Sequence, residues 1–163
     1  MKFEEWEPLY QEICEYFSFD PGEDERAAHI LAELTDRDAY PDLCSLLSGR
    51  EVTVCGNAPC LVNELHAISG VVIAADAAAG VLIRKGIEPS VIVTDLDGID
   101  EYAVALNLRG TIMVVHAHGD NISRLRSWVP RFAGPVVCTT QGRPFGRLHN
   151  EGGFTDGDRA VFM

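Results

Sequence analysis

Val91-Ile92-Val93-Thr94-Asp95-Leu96-Asp97-Gly98 joins a β-branched apolar run to two acids and a glycine. A run of that kind is what a strand buried on both faces of a parallel sheet requires, and the glycine lets the chain turn sharply where the strand stops. Asp95 and Asp97 are two residues apart, so an extended backbone would project both carboxylates to one side. Mg²⁺ takes hard oxygen ligands, usually one or two carboxylates with water and substrate phosphates, and such a pair suits it. Read alone, an Asp-x-Asp is more often a solvated turn with helix-capping acids.

Recurrence along the chain changes that reading. Val71-Val72-Ile73-Ala74-Ala75 runs into Asp76, and Thr111-Ile112-Met113-Val114-Val115 runs into His116-Ala117-His118-Gly119-Asp120-Asn121. Pro135-Val136-Val137-Cys138 runs into Thr139-Thr140-Gln141. Between these runs, residues 77–85, 99–108 and 121–129 have helical patterning and end in turn-forming Gly or Pro. Alternating strand and helix implies right-handed crossovers and a mostly parallel sheet whose strand ends open on one edge. Asp76, Asp95, Asp97 and Asp120 are therefore expected to converge where open α/β sheets bind ligands. Upstream, Glu51 to Cys55 opens the sheet and feeds Gly56-Asn57-Ala58-Pro59-Cys60-Leu61. A glycine turn before a Pro-started helix leaves backbone N–H groups free for an anion, although a purely structural turn reads the same way.

Residues 1–48 differ in pattern. Trp6, Leu9, Tyr10, Ile13, Tyr16 and Phe17 recur at helical spacing, Phe19-Asp20-Pro21-Gly22 interrupts, and Glu23 to Leu34 resumes. A third helix is expected over Asp38 to Leu47, closed by Gly49. This segment reads as an N-terminal helical subdomain beside a domain of residues 49–163. With 163 residues and 47% hydrophobic content the chain can bury a real core. A net charge of −12 argues against nucleic acid as a partner. No run approaches a membrane span, and the acidic start Met1-Lys2-Phe3-Glu4-Glu5 is unlike a signal peptide, so a cytoplasmic location and no membrane partner are expected. Five cysteines without a C-x-x-C pair indicate neither a disulfide framework nor a zinc ribbon.

The ordered set Cys55-Gly56-Asn57-Ala58-Pro59-Cys60-Leu61, Ala75-Asp76-Ala77-Ala78, Thr94-Asp95-Leu96-Asp97-Gly98, His116 to Asn121 and Gly152-Gly153-Phe154-Thr155-Asp156-Gly157-Asp158-Arg159-Ala160 resembles the archaeal 6-hydroxymethyl-7,8-dihydropterin pyrophosphokinases. These belong to a wider group similar to the catalytic domain of thiamin pyrophosphokinases, and the resemblance covers roughly residues 50–163. It implies a Rossmann-like sheet and transfer of diphosphate from ATP, the co-substrate, to the hydroxymethyl group of a pterin alcohol. AMP is then released, in tetrahydromethanopterin- or folate-type pterin biosynthesis. Mg²⁺ is implied on Asp95 and Asp97 with Asp120, while Asp76, Asp156 and Asp158 would complete an acidic ring. Gly56, Asn57, Asp76, His118, Thr139, Thr140, Gln141 and Arg159 are the implied nucleotide and phosphate contacts. Related chains commonly carry Gly-Asn-Gly-Pro-Ser in the first loop, where Ala58 and Cys60 stand here, and an aromatic in place of Glu151.

The same residues admit chemistry independent of the resemblance. In-line attack of an alcohol on the β-phosphorus builds negative charge, which metal ions held by carboxylates offset. Asp120 or Asp156 is the candidate to accept or orient the hydroxyl proton, and Arg84, Lys85 or Arg159 to balance phosphate charge. Phe145 and Phe154 are candidates for stacking on a ring. His116 and His118 together admit zinc, with hydrogen bonding to phosphate or Asp120 as the commoner alternative. Thiamin as acceptor, a motility-accessory-type glycosyltransferase and a nucleotide-binding module without turnover remain alternatives. At the carboxyl end, Ala160, Val161 and Phe162 begin an apolar face. That reads as a shortened helix, loosely held or packed on a partner chain, in a truncated catalytic unit of low activity, with a homo-oligomer as one way to cover it.

Overall fold

The computed structural model describes residues 1–163. Three helices come first: α1 (Phe3–Phe17), α2 (Pro21–Leu34) and α3 (Tyr40–Leu47). Then follow β1 (Val52–Cys55), α4 (Leu61–Glu64), β2 (Val71–Ala75), α5 (Ala78–Arg84), β3 (Val91–Thr94), α6 (Tyr102–Leu108) and β4 (Ile112–Ala117). The chain continues through α7 (Ile122–Trp128), β5 (Val136–Thr140) and β6 (Leu148–His149) to α8 (Asp156–Phe162).

The six strands form one sheet in the order β1-β2-β3-β4-β5-β6, with every neighbouring pair parallel. The α/β class and the parallel sheet expected from the apolar runs are therefore present. Strand order follows chain order without reversal, so right-handed crossovers stack their helices on one side. On that side Ala78, Ala79, Leu82, Ala103, Leu106 and Leu125 pack against Val72, Ala74, Ile92, Met113 and Val115. Strand residues of the opposite parity, Ile73, Val91, Val93, Ile112, Val114 and Val137, face a second cluster closed by Leu43 of α3 and Ala160 of α8. This two-sided burial is why β2 to β5 read as continuous apolar runs.

α2 joins the larger core through Ala27, Ala28 and Leu31. Only α1 builds a cluster of its own, from Phe3, Trp6, Tyr10 and Cys14. The break between them differs slightly from expectation. Ser18 ends α1 in the left-handed region, Asp20 caps α2 through the Gly22 amide at 2.8 Å, and Pro21 and Gly22 already belong to the first turn. α8 is docked rather than loose: it lies over β1, β2 and β3 with Ala160 and Arg159 buried. Val161 and Phe162, expected on the same apolar face as Ala160, are instead exposed, because one helical face cannot hold three consecutive residues. No helix is long and apolar enough to cross a membrane.

Candidate active site

β3 does not continue as extended chain past Thr94. Leu96 takes φ 75 and buries its side chain, and this left-handed residue removes the common projection expected for Asp95 and Asp97. Asp95 stays half-buried at the strand end, whereas Asp97 is exposed and turns back so that its amide donates to Asp95 Oδ1 at 3.2 Å. A second left-handed residue, Asp76 at φ 46, follows β2. The Thr94 hydroxyl donates to Asp76 Oδ1 at 2.6 Å and accepts from the Leu96 amide at 2.7 Å. Gly98 is forced by this packing, since a Cβ there would stand 1.8 Å from Asp76 Oδ2.

The third carboxylate arrives from the other side of the sheet. Thr155 and Asp158 form a capping box that starts α8, the Thr155 hydroxyl accepting from the Asp158 amide at 3.2 Å and Asp158 Oδ2 accepting from the Thr155 amide at 3.1 Å. Asp158, expected in the acidic ring, is thus engaged in the cap. Asp156 in the first turn reaches Asp76 and Asp95, and carboxylate oxygens of these three lie within 4.8 Å of one another. Arg159 Nη1 donates to Asp156 Oδ1 at 2.8 Å and Nη2 to the Phe154 carbonyl at 2.5 Å. Burial raises the Asp156 pKa to about 7, and its two acidic neighbours push the same way against the pull of Arg159. Asp76 is raised by burial and by Asp95 and Asp97, while Asp95 is lowered chiefly by its bond to His118. Three hard carboxylate oxygens crowded this closely fit a small divalent cation.

His118 Nε2 lies 3.3 Å from Asp95 Oδ2, and its Nδ1 accepts from the Asp120 amide at 3.3 Å. The ring therefore carries its proton on Nε2 and donates it to Asp95. His116 does not join it: its ring is sealed in the sheet, bonded to Thr139 Oγ1 at 3.0 Å, with the two ring centres 6.4 Å apart. Nothing gathers the pair into a zinc site. Asp120 stands exposed on the wall of a cavity of about 550 Å³ that also meets Tyr10, Asp24, Asp95, Phe154 and Asp156.

The remaining expected contacts divide. Gln141, His118 and Arg159 line this cavity, Thr140 faces a neighbouring one of about 670 Å³, and the Thr139 hydroxyl is bonded within the sheet. Gly56 and Asn57 lie on the exposed loop after β1, outside both cavities. Phe154 stacks in a near-parallel array with Phe17 and Phe19, at 6.2 and 6.5 Å, beside the carboxylates, whereas Phe145 packs on His29 in the second cavity. Arg84 and Lys85 close α5 at its carboxyl end and line neither cavity, although the Arg84 guanidinium folds back beside Gly80 and Tyr102. Glu151 accepts from the Tyr40 hydroxyl at 2.5 Å.

Three residues not singled out from the sequence hold the site together. Asn121, fully buried, donates to the Asp95 carbonyl at 2.9 Å and to the His116 carbonyl at 2.7 Å. Asp24 of α2 accepts from the Tyr10 hydroxyl at 2.7 Å and from the Gly119 amide at 2.8 Å. Trp6 Nε1 donates to the Gln141 carbonyl at 2.9 Å. Asn121 carried a local signal, an Asn at a helix start; the other two act across the fold and left none.

Comparison with known proteins places the chain in a family. Residues 25–163 match the family described as 6-hydroxymethylpterin diphosphokinase MptE-like, so the match begins inside α2, well before the motifs. A 6-hydroxymethyl-7,8-dihydropterin pyrophosphokinase of Pyrococcus furiosus is 42% identical over 171 residues, covering 100% of this chain and 72% of its own length. Proteins of the same name from Methanothermobacter thermautotrophicus and Methanocaldococcus jannaschii are 37% and 35% identical, again across 100% of this chain and covering 72% and 74% of their own lengths. With a family match over most of its length and such relatives spanning all of it, the chain belongs to the MptE-like family of 6-hydroxymethylpterin diphosphokinases.

Proposed function

We propose that the chain transfers the diphosphate of ATP to the hydroxymethyl group of 6-hydroxymethyl-7,8-dihydropterin, releasing AMP, with Mg²⁺ held by Asp76, Asp95 and Asp156. The observation that carries this reading is the convergence of those three carboxylates beside a cavity walled by an aromatic ring. In the reaction the alcohol oxygen bonds to the β-phosphorus, the bond from that phosphorus to the α,β-bridging oxygen breaks, and AMP leaves with the bridging oxygen. Mg²⁺ bound at the carboxylates supplies charge neutralisation of phosphate oxygens, worth several kcal/mol in such transfers.

The chain's own groups do the positioning. His118 orients Asp95 by donating to Oδ2, and Arg159 fixes Asp156 while supplying the positive charge nearest the acids. Asp120, exposed on the cavity wall, takes the hydroxyl proton. Phe154 offers a face to the pterin, whose N–H groups suit the acids Asp20, Glu23 and Asp24 that line the same cavity.

The test is chromatography of nucleotides after incubation with each acceptor, with and without Mg²⁺. AMP is expected only when ATP, Mg²⁺ and the pterin alcohol are all present. ADP as product, or turnover of thiamin with none of pterin, would overturn the proposal.

A further inference from the structure

His116 and Arg159 each bury one polar atom that has no partner, Nε2 of the imidazole and Nε of the guanidinium. The surrounding bonds fix the character of both. The Thr139 hydroxyl donates to the Val115 carbonyl at 3.2 Å, so its oxygen accepts from His116 Nδ1 at 3.0 Å. His116 is therefore the Nδ1–H tautomer, burial keeps it neutral, and Nε2 is a bare acceptor. Arg159 Nε is the converse, an N–H donor on a guanidinium whose other arms are taken by Asp156 and the Phe154 carbonyl. Both residues border one small, partly open void of about 10 Å³ that also touches Gln141, Asn150 and Gly152. That is the space of a single water, and the site has the polar partners a buried water needs.

We propose that one bound water accepts from Arg159 Nε–H and donates to His116 Nε2, making His116 a positioning residue for the Arg159–Asp156 pair. The functional part rests on the reading of Asp156 as part of the reacting centre. A continuous chain then runs from the Val115 carbonyl through Thr139, His116, the water and Arg159 to Asp156. It ties the first turn of α8 to β4 and β5, the strands that also carry His118 and Gln141. The competing arrangement is a direct bond to Nε2 from the Gln141 carboxamide, which borders the same void.

Two measurements decide it. In the ¹⁵N-labelled wild-type protein, long-range proton–nitrogen correlation is expected to show a bare Nε2 and a protonated Nδ1 at neutral pH, with a water-to-ring Overhauser peak at His116. An Nε2–H tautomer, or a carboxamide peak in place of the water peak, overturns the proposal. Kinetically, His116→Asn keeps an Nδ1-like donor and loses the far acceptor, whereas His116→Gln places an acceptor where Nε2 stood. The Asn variant is expected to lower kcat by roughly ten- to a hundredfold with KM values unchanged, and the Gln variant to recover most of it. Equal losses in both, or none in either, remove the positioning role. Should the variants fail to fold, the wild-type spectra decide alone. Should the wild type not turn over pterin, the functional reading fails and the water assignment is still read from those spectra.

Discussion

Asp95 and Asp97 differ by one turn of backbone, and their variants should differ accordingly. Asp95→Asn is expected to lower kcat/KM by about a hundredfold or more, the scale of losing metal-mediated charge stabilisation. Asp97→Asn, at an exposed position outside the carboxylate trio, is expected to cost less than about tenfold on the same scale. Steady-state assays on both, with circular dichroism to verify folding, check the contrast. Gly98→Ala should displace the Asp76 carboxylate, because the new methyl would stand 1.8 Å from Oδ2 and 2.8 Å from the Ala77 Cβ. Activity is expected to be lost and stability to fall by about 1–3 kcal/mol in denaturant titrations. Asp156 sets a pH signature in metal-free protein. Its pKa is raised to about 7, so the folded state holds a proton that the unfolded chain has already released. Stability should therefore fall as pH rises from about 4 to about 7, by at most ~1.4 kcal/mol per pH unit. Melting curves in chelator should show that slope in the wild type and a flatter one in Asp156→Asn. Asp95, with its pKa lowered, works in the opposite sense and only towards more acid pH.

Among the elements, the crossovers were legible and the return was not. β2 to β5 announced themselves because burial on both faces demands an unbroken apolar run, and polar residues followed each of them, whereas the two-residue β6 gave no such signal. That placed Asp76 and Asp95 together correctly. The strand pattern could not place Asp156, which only the resemblance put in the acidic ring and which reaches the trio because α8 crosses the opposite face of the sheet. The turn at Leu96 was hidden for a different reason: a left-handed leucine is driven by where its side chain is buried, not by a local preference. The α1–α2 pair was read as packing, and its role at the site came through two polar ties spanning the fold. Asp24→Ala removes bonds from both Tyr10 and Gly119, each worth about 1.5–3 kcal/mol when the acceptor is charged. Hydrogen exchange should show faster exchange at Gly119, Asp120 and Asn121 with the sheet unchanged, and kcat/KM should drop together with that protection.

At the scale of the molecule, charge bears on the proposed nucleotide. A chain of net charge −12 whose cavity beside the three carboxylates is lined by Asp20, Glu23, Asp24, Asp95, Asp120 and Asp156 repels bare triphosphate. Calorimetry should find metal-free ATP binding weak and strengthened by added salt, which screens the repulsion, whereas Mg-ATP should bind tightly and respond little to salt. The strand order carries a further consequence, in time rather than in space. Because β1 to β6 are laid side by side in the order of synthesis, each new strand can dock on the one before it, and five crossovers complete the sheet without waiting for a distant partner. α8 alone runs back, over β1 to β3. Asp156 therefore joins Asp76 and Asp95 only after the strands are in place, and a nascent chain with its sheet already formed would hold two of the three carboxylates until α8 seats.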